Sequence, residues 1–126
     1  MAIPRAGSRR PRLTFIYKIL SREAWETAAR SGAYKGSPVD LADGFIHFST
    51  AEQAQETARR HFLGQDGLVI VAVQAEALGD ALKWEPSRGG ALFPHLYGPL
   101  PAACVLEVRQ APLNPDGVPD VGDLAP

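Results

Sequence analysis

Apolar residues recur in this chain with the two-residue period of strands and the three-to-four-residue period of helices, and each stretch predicts an element. Leu13-Thr14-Phe15-Ile16-Tyr17-Lys18-Ile19 is rich in β-branched and aromatic residues and predicts a first strand, with Phe15, Tyr17 and Ile19 on one face. Ser21 then caps a helix over 22–30 that Gly32 ends, and Trp25, Ala28 and Ala29 form its buried stripe. The stretch 34–43, with Gly36 and Pro38, reads as a loop, and Asp43-Gly44 as a turn.

Gly44 opens Phe45-Ile46-His47-Phe48-Ser49, a short strand with Phe45, His47 and Ser49 on one face and Ile46 and Phe48 on the other. Thr50 and Gln53 stand in capping-box spacing, so a second helix begins at Ala51 and runs to about Leu63, where Gly64 closes it. Leu68-Val69-Ile70-Val71-Ala72-Val73 is nearly all apolar and suits a central strand buried on both faces. Residues 76–79 read as a helical turn and 82–85 as a brief strand. From Pro86 to Pro101, prolines and glycines break the pattern into a long loop, a length that implies a job for it. Val105, Leu106 and Val108 mark the last strand, and Pro112, Pro115 and Pro119 a tail.

This order predicts a mixed α+β domain with antiparallel pairing in its later half and two main helices, which either share one face of the sheet or cover one each. The expected organisation is a disordered basic arm over 1–12, one domain over 13–112, and a Pro-rich acidic tail over 113–126, solvated and poorly ordered like the arm.

Composition narrows the function classes. The 126 residues suffice for one self-supporting core, and 45% hydrophobic with 21% charged is ordinary globular usage. No apolar run is long enough to cross a bilayer and no secretory segment stands at the N-terminus, so the expectation is a cytoplasmic protein with no membrane partner. A formal net charge of −1 makes nucleic acid an unlikely partner, although Arg5, Arg9, Arg10 and Arg12 crowd the first segment. Cys104, the one cysteine, sits in an apolar run and reads as a small core residue. The spacing of His47, His61 and His95 matches no metal motif, and no metal site is expected.

Two stretches carry the candidate chemistry. His47 can donate, accept or carry charge near neutral pH, and Ser49 adds a hydroxyl on the same strand face, beside a helix N-terminus that Thr50 caps and that attracts anions. In the second stretch, Trp84-Glu85-Pro86-Ser87-Arg88-Gly89-Gly90, Arg88 offers a permanently charged fork on a glycine-flanked loop, and Phe93, His95 and Tyr97 follow closely. Arg88 would hold an anion, Trp84 or Tyr97 would stack on a ring, and His47 or His95 would move a proton, with Glu85 as a base or as the partner of Arg88. A serine-nucleophile elbow, a Walker loop and a dinucleotide glycine fingerprint are all missing.

These motifs, Gly44-Phe45-Ile46-His47-Phe48-Ser49-Thr50 and Trp84-Glu85-Pro86-Ser87-Arg88-Gly89-Gly90 with Leu92-Phe93-Pro94-His95-Leu96-Tyr97-Gly98-Pro99-Leu100, closely resemble a bacterial family known only as a domain of unknown function, over Ile16 to Val108. The front half is also similar, more distantly, to the ADP-ribosyltransferase-like fold. His47-Phe48-Ser49 matches the His-x-Ser of its RNA 2′-phosphotransferase branch, where the histidine lies over an NAD-like pocket and the serine braces its floor. Lys18 stands where that fold places its first-motif histidine, and either Glu85 or Glu107 would supply its acidic residue. The resemblance implies a transferase fold with a mixed, partly antiparallel split sheet, NAD as a candidate cofactor, and Lys18 as a residue able to meet a phosphate.

The resulting expectation is an anionic small molecule, a nucleotide or NAD-like metabolite, bound by Lys18, Ser49, Thr50, Trp84, Arg88 and Tyr97, with His47, His95 and Glu85 as catalytic candidates. It requires that the region of His47 and the region of Arg88 converge. One rival is a non-catalytic module that meets a protein partner through an exposed aromatic loop at 93–97; another is a loop that serves folding alone. Oligomeric state is left open by the sequence.

Overall fold

A computed structural model describes residues 13–126; the basic arm of residues 1–12 lies outside them. The chain opens with β1 (Phe15–Ser21), α1 (Arg22–Ser31), β2 (Ala33–Tyr34) and α2 (Pro38–Asp43). It continues through β3 (Ile46–His47), β4 (Ser49–Thr50), α3 (Ala51–His61) and β5 (Leu68–Gln74). After a 3-10 turn come β6 (Leu82–Pro86), β7 (Leu92–Leu96), β8 (Leu100–Pro101) and β9 (Val105–Gln110).

The α+β class holds, and the split sheet is antiparallel in every described pairing rather than mixed. A four-stranded sheet runs β4-β1-β5-β9, a three-stranded sheet β3-β7-β6, and β2 pairs with β8. The four-stranded sheet separates two apolar clusters. Ile16, Leu20, Val69, Val71 and Val73 face one way and pack with Ala28 of α1 and with Ile46 and Leu96 of the small sheet. Tyr17, Ile19, Ile70 and Ala72 face the other way, under Ala54 and Ala58 of α3. The two main helices therefore cover one face each, and β5, buried along Leu68–Val73, is the shared wall as its apolar run predicts. Of the stripe expected on α1, Ala28 is buried and Trp25 packs at the cluster's rim, but Ala29 is exposed because the helix touches the sheet along a narrower line.

Four expectations change. The stretch read as a loop at 34–43 contains α2, a two-turn helix whose Ser37 cap and Asp40 form a reciprocal capping box with Pro38 in its first turn. The stretch 86–101 is no long loop: its middle is β7, the central strand of the small sheet, despite Pro94. A strand residue points its N–H and C=O to the same side. The Pro94 carbonyl accepts from Phe48 N–H at 3.0 Å, so the N–H that proline lacks would point to that same side, where β3 has ended. The expected strand over 45–49 is in turn broken at Phe48: His47 pairs with β7, while Ser49 pairs with β1. The chain thus steps from one sheet to the other between those two residues.

The fourth change is the tail. Residues 111–126 pack across the second cluster, burying Ala111, Val118 and Val121. Gln55 clamps it, giving a hydrogen bond to the Pro119 carbonyl at 2.8 Å and accepting from Val121 N–H at 3.1 Å, and Gly64 N–H donates to Gly117 at 2.7 Å. Prolines here end regular structure without ending order, because the apolar residues between them have a sheet face to cover.

Candidate functional site

The site grows from α2. Asp40, third in the helix, is buried at 2% exposure and gathers donors from three elements. Its carboxylate accepts from Ser37 N–H at 2.9 Å, from Lys18 Nζ of β1 at 3.0 and 3.1 Å, and from His47 N–H at 3.2 Å. His47 Nδ1 lies 2.6 Å from the same carboxylate and its Nε2 lies 3.0 Å from Asp43. Burial pushes the Asp40 pKa up, but the bond from His47, the Lys18 charge and the Ser37 amide outweigh it and hold the carboxyl well below its ordinary range. Burial lowers Lys18, and Asp40 opposes that shift. Gly36 lets the chain pass close: a Cβ there would stand 2.9 Å from the Asp40 Cβ, at a φ of +119°. Gly36→Ala is expected to cost about 1–3 kcal/mol in urea unfolding.

On the small sheet, directly opposed residues share a face, which puts His47, His95 and Lys83 in one row and Glu85 beside Phe93 in the next. Glu85 Oε1 accepts from His95 Nδ1 and from the Tyr97 hydroxyl, each at 2.8 Å. The bond from His95, then that from Tyr97, lowers the Glu85 pKa, and the bond to Glu85 raises Tyr97. Phe45 binds the group together, its ring centroid 4.1 Å from His95, 4.5 Å from His47 and 5.2 Å from Tyr97. Phe45 also lines a hollow of about 410 Å3, with Leu41, Ile46, Leu96, Pro99 and Lys35.

A third group joins the two sheets. Ser49 Oγ is 2.9 Å from Thr57 Oγ1 of α3, which in turn lies 3.4 Å from Arg88 Nη2. The Arg88 guanidinium sits 4.8 Å from the centre of the Phe93 ring, and among the described residues it has no carboxylate partner. Neighbouring Arg59 and Arg60 are bound to Glu56, whose pKa they hold down to about 2. Partial burial lowers His61, and the charges of Arg88, Arg60 and His47 add to that shift. Arg60 and His61 thus lie near Arg88, and the Glu56 carboxylate shares that neighbourhood.

The structure brings together His47, His95, Glu85 and Tyr97, and sets Ser49 and Arg88 in an adjoining chain of polar contacts. It does not bring Trp84, Lys18 or Thr50 to the same surface. Trp84 opposes Pro94, so its side chain leaves the small sheet on the face opposite His95. Lys18 is buried on Asp40, and the Thr50 hydroxyl and N–H are both engaged with Gln53 in the cap. Gln53 also donates to the Leu92 carbonyl at 2.9 Å, tying the start of α3 to β7. Sequence reasoning missed Asp40, although Ser37-Pro38-x-Asp40 carries the spacing of a helix start, and missed His61 as a neighbour of Arg88, although Thr57 and His61 are four apart on one helix face.

The same two stretches that build this surface lie within residues 19–108, which match the family model described as a protein of unknown function, DUF952. The chain belongs to the DUF952 family. Among solved structures similar to it, the crystal structure of protein CC0527 from Caulobacter crescentus is 59% identical, with a TM-score of 0.85, covering 86% of this chain and 96% of that one. The solution NMR structure of CC0527 is 59% identical with a TM-score of 0.76, covering 83% of this chain and 90% of that one. None of the curated proteins matches this DUF952 chain. No helix among the described residues is long and apolar enough to cross a membrane.

Proposed function

We propose that this protein binds an anionic small molecule, a nucleotide or NAD-like metabolite, on the surface where Arg88, Thr57 and His61 meet His47 and His95, and that its fold is a variant of the ADP-ribosyltransferase-like type. The observation that carries the reading is Arg88: a half-buried guanidinium over an aromatic ring, with one nitrogen on a hydroxyl and no salt-bridged carboxylate among the described residues. A phosphate or carboxylate fits that fork bidentately. Tyr97, 41% exposed beside Phe45, is the ring available for stacking, a role that Trp84 cannot take from the other face.

Proton transfer, if the ligand is transformed, falls to the histidines. Glu85 holds His95 through Nδ1, which leaves Nε2 as its working nitrogen, whereas both nitrogens of His47 are engaged, Nδ1 on Asp40 and Nε2 on Asp43. Within the ADP-ribosyltransferase-like reading, Glu85 supports the acidic role better than Glu107, because it is bonded to His95 and Tyr97 while Glu107 lies on β9. Lys18 is spent on Asp40 and holds no ribose, so the reading favours binding of NAD-like molecules over their cleavage. The rival of an aromatic interaction loop is left with Leu92 and Tyr97, since Phe93 and His95 are buried in β7.

Isothermal titration with NAD, ADP-ribose and inorganic phosphate tests the proposal. At least one ligand is expected to bind, and Arg88→Ala to weaken it about tenfold to a hundredfold, the loss of one charge-assisted contact. Silence from all three, or affinity unmoved by Arg88→Ala, overturns it.

A further inference from the structure

β9 is an open edge. It ends the four-stranded sheet, pairs only with β5 among the described residues, and carries exposed Leu106 and Val108, at 59% and 40%. Long unpaired edges are normally blunted by proline, by charged side chains, lysine above all, by a bulge or by a covering segment. The free edge of the small sheet follows that rule, with Lys83 and Pro86 on β6. β9 has no proline and no lysine; its single irregularity is a bulge near Leu106, where the register with β5 shifts, and the four residues Glu107–Gln110 beyond it are regular.

We propose that two copies of this chain associate through β9, antiparallel and edge to edge, around a twofold axis at Val108, which joins their sheets into one of eight strands. The register follows from side-chain signs. A twofold axis normal to the sheet sets like faces together, so it must pass through a residue position. Centred on Glu107, it opposes two carboxylates; centred on Arg109, it opposes two guanidinium groups. Centred on Val108, it opposes Glu107 to the partner copy's arginine twice over, and sets the two valines against each other on the other face. The two side chains already lie on one face of β9, 3.6 Å apart within the chain, and Arg109 also donates to the Asp123 carbonyl of the tail, a contact it would share with the second copy. Association requires no ligand and stands apart from the anion site.

Sedimentation velocity of the full chain over a concentration series is the test. The unaltered protein is expected to show a concentration-dependent monomer–dimer equilibrium. Glu107→Arg places like charges opposite each other at two positions and is expected to weaken the dimer about tenfold or more. The double exchange of Glu107→Arg with Arg109→Glu restores opposite signs and is expected to bring the dimer back. Melting temperatures measured alongside separate weakened association from damage to the tail contact at Asp123. A monomer at every concentration, or a double exchange that melts normally yet dimerises no better than Glu107→Arg alone, overturns the proposal.

Discussion

Asp40→Asn is expected to destabilise the protein by about 3–5 kcal/mol in urea unfolding, the usual consequence of removing one partner from a buried ion pair. The amide can still accept from Ser37 N–H, so the helix cap survives; what is lost is the negative charge facing the buried Lys18 and the partly exposed His47. Adding Lys18→Met to Asp40→Asn should recover a substantial part of the loss, because the stranded ammonium is removed too. The pH dependence has a definite sign. Asp40 has a depressed pKa when folded, so the unfolded chain binds its proton first. Its contribution is present above the ordinary carboxylate range and is lost as pH falls through that range toward the lower folded value. Asp40→Asn should therefore flatten the acid limb of the stability curve. An Asn variant as stable as the parent at neutral pH, or with the same acid limb, would remove Asp40 from its central place.

Truncation after Gln110 is the second large effect. It strips Ala111, Val118 and Val121 from the second cluster and leaves Tyr17, Ile19, Ile70 and Ala72 partly open to water. Burial of each valine is worth about 1.5–3 kcal/mol, so the two together are worth about 3–6 kcal/mol, comparable to the lower end of the stability of a small domain. The truncated chain is expected to bind a hydrophobic dye and to lose its cooperative thermal transition. A truncated protein that melts like the parent would mean that the segment rests on the sheet without supporting it.

How much was legible in the sequence follows from where each signal is stored. Elements defined by a local pattern read well: β1, α1, the Thr50 capping box, and the apolar run of β5 each carry their own boundary residues. Elements stabilised by something distant did not. β7 contains a proline and reads as loop until Phe48 and β6 are beside it to take its hydrogen bonds. Residues 111–126 look like a polar tail until the sheet face they cover is known, and α2 is too short for periodicity to register, although its cap residues were in plain view. The site followed the same division. His47, His95, Glu85 and Arg88 stood out as reactive side chains on unusual backbone. Asp40, the residue on which Lys18 and His47 both depend, stood inside a presumed loop, and the side to which Trp84 points depended on a register that only strand pairing determines.

The step of the chain at Phe48 has one more consequence. His47 belongs to the smaller sheet and Ser49 to the larger, so the candidate surface straddles a seam that is crossed by the chain itself, by the Ser49 and Thr57 hydroxyls with Arg88, and by the Gln53 amide on β7. A molecule seated across that seam would act as a rivet between separately hydrogen-bonded halves, and part of its affinity would be spent on holding them in register.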